Sequence, residues 1–258
     1  MNKVTSKDGT TIAYDQSGQG MPVIFVDGAL CYRAFGPSGG MAAQLAPHFT
    51  VITYDRRGRG DSGDTPPFAV EREVEDIAAL IEAVGGSAFV YGTSSGAALA
   101  LHAAAHGLPI RKLALFEPPY NDATLQAAAD YTANLKGIIA AGRRDDAVAL
   151  FMTYVGTPLE AVEGMKHAPM WPLLEAVGHT LAYDNAVMGD SAVPTARAAA
   201  VSIPTLLIVG EASYGFMAAS AHAIVEAMPN AQFRSLPGQS HDAAPEAVAP
   251  LLVEFFAS

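Results

Sequence analysis

The chain holds a single cysteine, Cys31, among 258 residues. No intrachain disulfide can form, so the fold must stand on its own core. Basic residues are also scarce: 15 Lys and Arg stand against 26 Asp and Glu, a formal charge of -11. Such a surface repels a phosphate backbone, which argues against nucleic acid as a partner. No apolar run reaches membrane-spanning length. The Ala-rich stretches are broken by His102, His106 and Gly107, or by Arg197, Ser202 and Pro204. Residues Met1 to Asp8 are polar and lack the apolar segment of a secretory leader. Internal repeats and low-complexity linkers are absent too. These absences point to a cytoplasmic protein acting on a small molecule, with the oligomeric state left open.

What is present is a chain 50% hydrophobic, ample for one large core. Lys3–Thr5 and Thr10–Gln16 read as strands joined at Asp8-Gly9, a hairpin signal. Pro22–Val26 and Thr50–Tyr54 read as buried strands, with a helix predicted over Ala34–Pro47 between them. Val70, Val74, Ile77, Leu80, Ile81 and Val84 share one helical face, which Gly85-Gly86 ends. Strand Ala88–Tyr91, helix Ser95–His106 and strand Lys112–Phe116 follow. This alternation predicts an α/β fold whose mostly parallel sheet is covered by helices on both sides. From about 121 to 200 only helix-like segments occur. Strands Pro204–Val209 and Gln232–Leu236 then alternate with helices Phe216–Met228 and Glu246–Phe256. The expectation is one domain of residues 1–258, with core segments 1–120 and 201–258 and a helical cap over about 121–200.

The strongest chemical signal is Gly92-Thr93-Ser94-Ser95-Gly96. A strand runs into it and a helix runs out, the context in which G-x-S-x-G exposes a serine on a sharp turn. Small residues at Gly92 and Gly96 let neighbouring backbone approach. The helix N-terminus behind Ser94 adds partial positive charge where an oxyanion would form. Of seven histidines, His241 alone lies in a Gly-containing loop between a terminal strand and the last helix. An imidazole titrating near neutrality can take the proton of Ser94 and return it to a leaving group.

On these residues the chain resembles the α/β-hydrolase superfamily over essentially its whole length. Tyr54-Asp55-Arg56-Arg57-Gly58-Arg59-Gly60-Asp61-Ser62 is similar to the family's D-x-R-G-x-G-x-S turn. Gly238-Gln239-Ser240-His241 matches its G-x-x-H, and Val26-Asp27-Gly28-Ala29 stands where the family usually has His-Gly-x. The resemblance implies an oxyanion hole from the amides of Ala29 and Ser95. It also implies an esterase- or lactonase-like serine hydrolase that needs neither metal nor organic cofactor. A non-hydrolytic ligand-binding member, or a carbon–carbon bond hydrolase or acyltransferase using the same Ser-His pair, is the alternative.

Two positions depart from the family. Asp27 replaces its histidine, and a carboxylate there is expected to turn away from the oxyanion. The usual acid lies in a G-x-x-D loop, which here reads Gly210-Glu211-Ala212-Ser213. Glu117, at the end of Lys112–Phe116, resembles in position the acid of some haloalkane dehalogenases and ranks first as its replacement. Glu211, Asp242 and no direct acid are the other options.

Other signals carry less. Gly58-Arg59-Gly60-Asp61-Ser62-Gly63 spells G-x-G-x-x-G but leads into Pro66-Pro67 and no helix, so a dinucleotide has no helix N-terminus to bind. His102 and His106 have metal-pair spacing without a third ligand, and packing explains them better. Cys31 reads as a buried structural thiol. Tyr154 and Trp171 are the candidate pocket residues of the cap.

Overall fold

Short strands that are apolar on both faces require cover on both sides. That is the arrangement in the computed structural model, which describes residues 1–258. The strands are β1 (Asn2–Thr5), β2 (Thr11–Ser17), β3 (Pro22–Val26), β4 (Thr50–Tyr54), β5 (Ala88–Thr93), β6 (Ile110–Phe116), β7 (Thr205–Gly210) and β8 (Ala231–Leu236). They form one sheet in the order β1-β2-β4-β3-β5-β6-β7-β8. The β1/β2 and β2/β4 pairs are antiparallel and all the others parallel.

The helices are α1 (Ser38–Leu45), α2 (Val70–Ala83), α3 (Ser95–Ala105), α4 (Leu125–Ala140), α5 (Arg144–Tyr154), α6 (Leu159–Met165), α7 (Trp171–Val177), α8 (Leu181–Met188), α9 (Thr195–Ala199), α10 (Gly215–Ala227) and α11 (Pro245–Ala257). Alternate residues of each strand feed opposite layers, as the period of two demands. Ile24, Val26, Val90, Leu113, Leu115 and Leu207 join the layer beneath α2, α3 and α10. Val23, Phe25, Tyr91, Phe116, Leu206 and Ile208 join the layer beneath α1 and α11. Each fully buried aliphatic or phenyl side chain contributes about 1.5–3 kcal/mol.

Helices α4 to α9 all lie between β6 and β7 and form an insertion with its own apolar cluster. Tyr131, Leu135, Trp171, Leu174 and Leu181 of that cluster pack with Leu30, from the loop that follows β3. The insertion therefore rests on the ends of the strands that carry Ser94 and Asp27.

The helix predicted over Ala34–Pro47 is shorter than its pattern: α1 begins at Ser38. Tyr32 and Phe35 exchange both backbone hydrogen bonds, at 2.9 and 2.8 Å. That closed turn takes the residues that would have formed the first helical turn, and Pro37 then stands as the N-cap.

Candidate active site

Ser94 stands between β5 and α3, with φ 53° and ψ -126°. A side chain in that region is strained and is held only because its surroundings over-determine it. One such constraint is the bond from Ser94 N–H to Phe116 O at 2.9 Å, which ties the turn to the end of β6. Another is Gly96: a Cβ there would lie 2.2 Å from Val26 O and 2.5 Å from Asp27 O. Only glycine lets the start of α3 press against the end of β3. The same approach brings Gly28 beside Ser94, since a Cβ on Gly28 would lie 3.7 Å from Ser94 Oγ.

Ala29 follows Gly28 in that loop, and Ser95 is the first residue of α3. The N–H groups of both donate to no backbone carbonyl, as expected for a loop amide and for the first orphan donor of a helix. Two free amides thus flank Ser94.

Glu117 follows directly on β6, with φ 47°, and its side chain is fully buried. Its Oε1 accepts Gly210 N–H at 2.8 Å. Its Oε2 accepts the Ser213 hydroxyl at 2.8 Å and lies 2.5 Å from His241 Nδ1. The His241 ring also stacks on Phe116, with centroids 6.3 Å apart. Phe116 pairs with Thr93 across β5 and β6, so the imidazole and Ser94 belong to the same sheet edge.

The other acid candidates lie elsewhere. Glu211 is exposed and accepts Ser235 Oγ at 2.8 Å, and Asp242 is exposed. Ser213, at the position where the family's acid was expected, instead donates to the carboxylate that holds His241. Gly210 permits this packing, because a Cβ on it would lie 2.3 Å from Gln239 O of the histidine loop.

Behind the serine turn lies a buried ion network that the motifs did not reveal. Arg56 and Arg59 are each about 1% exposed. Arg56 binds Glu73 through Nε and Nη2 at 2.7 and 2.8 Å, and Asp184 Oδ1 through Nη1 at 2.6 Å. Arg59 Nη2 binds Asp184 Oδ2 at 2.7 Å, and its Nη1 donates to Gly28 O at 2.6 Å and Cys31 O at 3.0 Å. Ser95 Oγ donates to Asp184 Oδ1 at 2.8 Å. Burial opposes ionisation of Asp184, but Arg59 and Arg56 outweigh it and hold the carboxyl below its ordinary value. Three arginines within four positions, in a chain with few basic residues, were the available sign of a buried cluster. A lone acid on the apolar helix α8 was the sign on the other side.

Asp27 is buried, and burial raises its pKa to about 6; nearby Ser38, Arg59 and Arg56 only moderate the rise. Neither Asp27 Oδ1 nor Ser38 Oγ closes a hydrogen bond. Burial likewise pushes the Cys31 thiol to about 12, so it stays protonated at neutral pH and is a poor nucleophile. His102 Nε2 lies 3.0 Å from Val187 O, a contact between α3 and α8. Tyr154 is 38% exposed and stacks on Tyr131 at 4.2 Å. Trp171 is buried in the insertion's cluster, with its indole N–H given to Asp145 Oδ1 at 2.6 Å.

A hydroxyl on a strained turn, two unspent amides and an imidazole aligned by a buried carboxylate form a set capable of acyl transfer. Comparison with known proteins gives the family. A model described as the alpha/beta hydrolase family matches residues 10–251. The crystal structure of an alpha/beta hydrolase from Sphaerobacter thermophilus is 55% identical, covering 99% of this chain and 100% of that one, with TM-score 0.89. A thermophilic esterase from Thermogutta terrifontis shares the fold at 23% identity, 99% and 97% coverage and TM-score 0.75. The enol-lactonase from Burkholderia xenovorans shares it at 19% identity, full coverage of both chains and TM-score 0.68. A curated relative from Mycobacterium tuberculosis, named as a candidate non-heme bromoperoxidase, is 38% identical over 91 residues. That match spans 34% of this chain and 34% of the relative.

Proposed function

The chain belongs to the alpha/beta hydrolase family, and from that premise we propose that it is a serine hydrolase cleaving a small or medium ester or lactone. The observation that carries this is the Glu117 carboxylate 2.5 Å from His241 Nδ1, at the sheet edge where Ser94 turns.

In the proposed reaction Ser94 Oγ attacks the acyl carbonyl while His241 Nε2 takes its proton. The amides of Ala29 and Ser95 stabilise the resulting oxyanion. Glu117 accepts the Nδ1–H, which fixes the tautomer that leaves Nε2 free, and stabilises the imidazolium that forms. Collapse expels the alcohol oxygen, which takes the proton from His241 and leaves the acyl group on Ser94. Water, deprotonated by His241, then attacks the acyl-enzyme. The second tetrahedral species releases the carboxylic acid, and Ser94 Oγ recovers its proton from His241. Every proton is returned, and none of these steps draws on a metal or organic cofactor.

The insertion, residues 121–200, acts in this proposal as a cap. Its apolar cluster reaches Leu30, next to Ala29, which favours a substrate with an apolar acyl or alcohol part. Tyr154, partly exposed, and Trp171, buried within the cluster, are the proposed wall residues. The esterase and enol-lactonase names among the structural neighbours support the same substrate class.

A fluorophosphonate probe and a panel of p-nitrophenyl esters and lactones test the proposal. Wild-type protein should be labelled at Ser94 and turn over short esters, and Ser94→Ala should lose both. Turnover by Ser94→Ala near the wild-type rate would overturn the covalent mechanism.

A further inference from the structure

Resting on the serine-hydrolase assignment, we propose that Asp184 of α8 is the positioning residue of the oxyanion hole, fixing both of its amides from the helical insertion.

One amide is reached through Arg59. Arg59 Nη1 donates to Gly28 O at 2.6 Å, and Gly28 C=O belongs to the same planar peptide unit as Ala29 N–H. In a trans peptide these two groups point in opposite directions. Holding Gly28 O toward the guanidinium therefore aims Ala29 N–H away from it. Arg56 Nη1 makes the corresponding contact with Asp27 O at 3.3 Å, one peptide earlier. Both guanidiniums are held by Asp184, one through each carboxylate oxygen.

The other amide is reached directly. Ser95 Oγ donates to Asp184 Oδ1 at 2.8 Å, which fixes the residue whose N–H is the second proposed donor. Asp184 thus touches the supports of both donors, although it is 89 residues from Ser95 and 125 from Arg59. Its charge does not oppose the oxyanion, because Arg56 and Arg59 together balance Glu73 and Asp184. An amide aimed before substrate arrives costs no reorganisation during the reaction. Since the hole acts on the tetrahedral species, loss of aim lowers kcat and leaves KM nearly unchanged.

The test uses the full-length protein with p-nitrophenyl butyrate as substrate and phenylboronic acid as a tetrahedral mimic. Rates are normalised to the sites titrated by fluorophosphonate. Asp184→Asn should lower normalised kcat about 10-fold or more, on the scale of a lost oxyanion interaction. Ser95→Ala, which removes only the hydroxyl contact, should lower it about 2- to 30-fold. In both variants the affinity for phenylboronic acid should fall in proportion to kcat/KM, with KM within about 2-fold of wild type. Asp76→Asn is the structural control. It removes the charge of one of the two carboxylates paired with the buried Arg57, Asp76 at 2.7 Å and Asp8 at 2.8 Å, without touching the hole, and should lower the melting temperature while sparing normalised kcat.

If Asp184→Asn does not fold, Ser95→Ala decides. Normalised kcat and boronate affinity within 2-fold of wild type in the folded variants would overturn the positioning role. So would losses in Asp184→Asn no larger than those in Asp76→Asn. Neither result touches the serine-hydrolase assignment, which fails separately if wild-type Ser94 is not labelled.

Discussion

A histidine that takes a proton from a serine is useful in one tautomer, and a carboxylate at Nδ1 selects it. Glu117 stands in that place through geometry, since its chain position is not the usual one for the acid. Replacing it by Gln keeps the shape and removes the charge, so kcat should fall about 10³- to 10⁴-fold, measured with any ester the wild type cleaves. Ser213 lies on the same oxygen of Glu117, so a carboxylate introduced there can approach the same imidazole. Ser213→Asp in the Glu117→Gln background should recover at least about 10-fold of the lost rate; no recovery would place residue 213 out of reach of His241. Asp27 gives a prediction on stability. Its ordinary pKa of 3.8 rises to about 6 on burial. Between those values the folded state binds more protons than the unfolded state, so stability falls as pH rises through that window. At about 1.4 kcal/mol per pH unit, the fully charged carboxylate costs about 3 kcal/mol above pH 7. Asp27→Asn should therefore gain stability over wild type by an amount that grows by about this much between pH 4 and pH 8, as read by denaturant unfolding. A pH-independent difference would mean that Asp27 does not titrate there.

Among the elements, the turn from β5 to α3 concentrates the conflict between local preference and use. Ser94 has φ 53°, a region that glycine enters at little cost. Ser94→Gly should therefore exceed Ser94→Ala in stability by about 1 kcal/mol, seen as a higher melting temperature, while both are inactive. In the insertion, Trp171 is buried and its indole N–H is bonded to Asp145. Trp171→Ala should cost about 3–5 kcal/mol of folding stability, whatever it does to substrate preference. The elements were legible where one local pattern decided them. β3 and β4 run Pro22–Val26 and Thr50–Tyr54, as their apolar runs predicted, because a continuous, largely apolar run of 5 residues is long enough for a buried strand and too short for a buried helix. The first turn of the helix expected over Ala34–Pro47 was not legible, because the competing Tyr32–Phe35 turn is set by backbone bonds with no apolar signature. For the candidate site, the motifs gave Ser94 and His241, and chain position pointed to Glu117. The arginine run and the lone acid of α8 hinted at buried charge, but which groups pair was not legible: Ser213 with Glu117, and Ser95 and Arg59 with Asp184, are each about 90 or more positions apart, and no spacing rule reaches that far.

For the whole molecule, the sheet and its two layers hold most of the buried apolar side chains. The insertion adds a third cluster that takes in Leu30 of the loop after β3, and its joint with the core is completed where Val187 of α8 and Ala198 of α9 pack into the first layer. The polar part of that joint is the pairing of Arg56 and Arg59 with Asp184. Removing one partner of such a buried set typically costs about 3–5 kcal/mol, because the other charges remain without water. The same joint bears on the order of events in folding. Arg56 and Arg59 lie 128 and 125 residues from Asp184, so bringing them together closes a long loop. The β5–α3–β6 segment, in contrast, assembles from near neighbours in sequence. Loop-closure entropy must be met before such distant contacts reward it. A chain diluted from denaturant should thus regain its circular-dichroism helix signal before it regains the proposed ester turnover, with a lag that lengthens in Asp184→Asn. On that order of events Arg59, which has no other carboxylate partner, would keep its water until α8 docks, and the last step of assembly would be a drying step at the place where the chemistry must run dry.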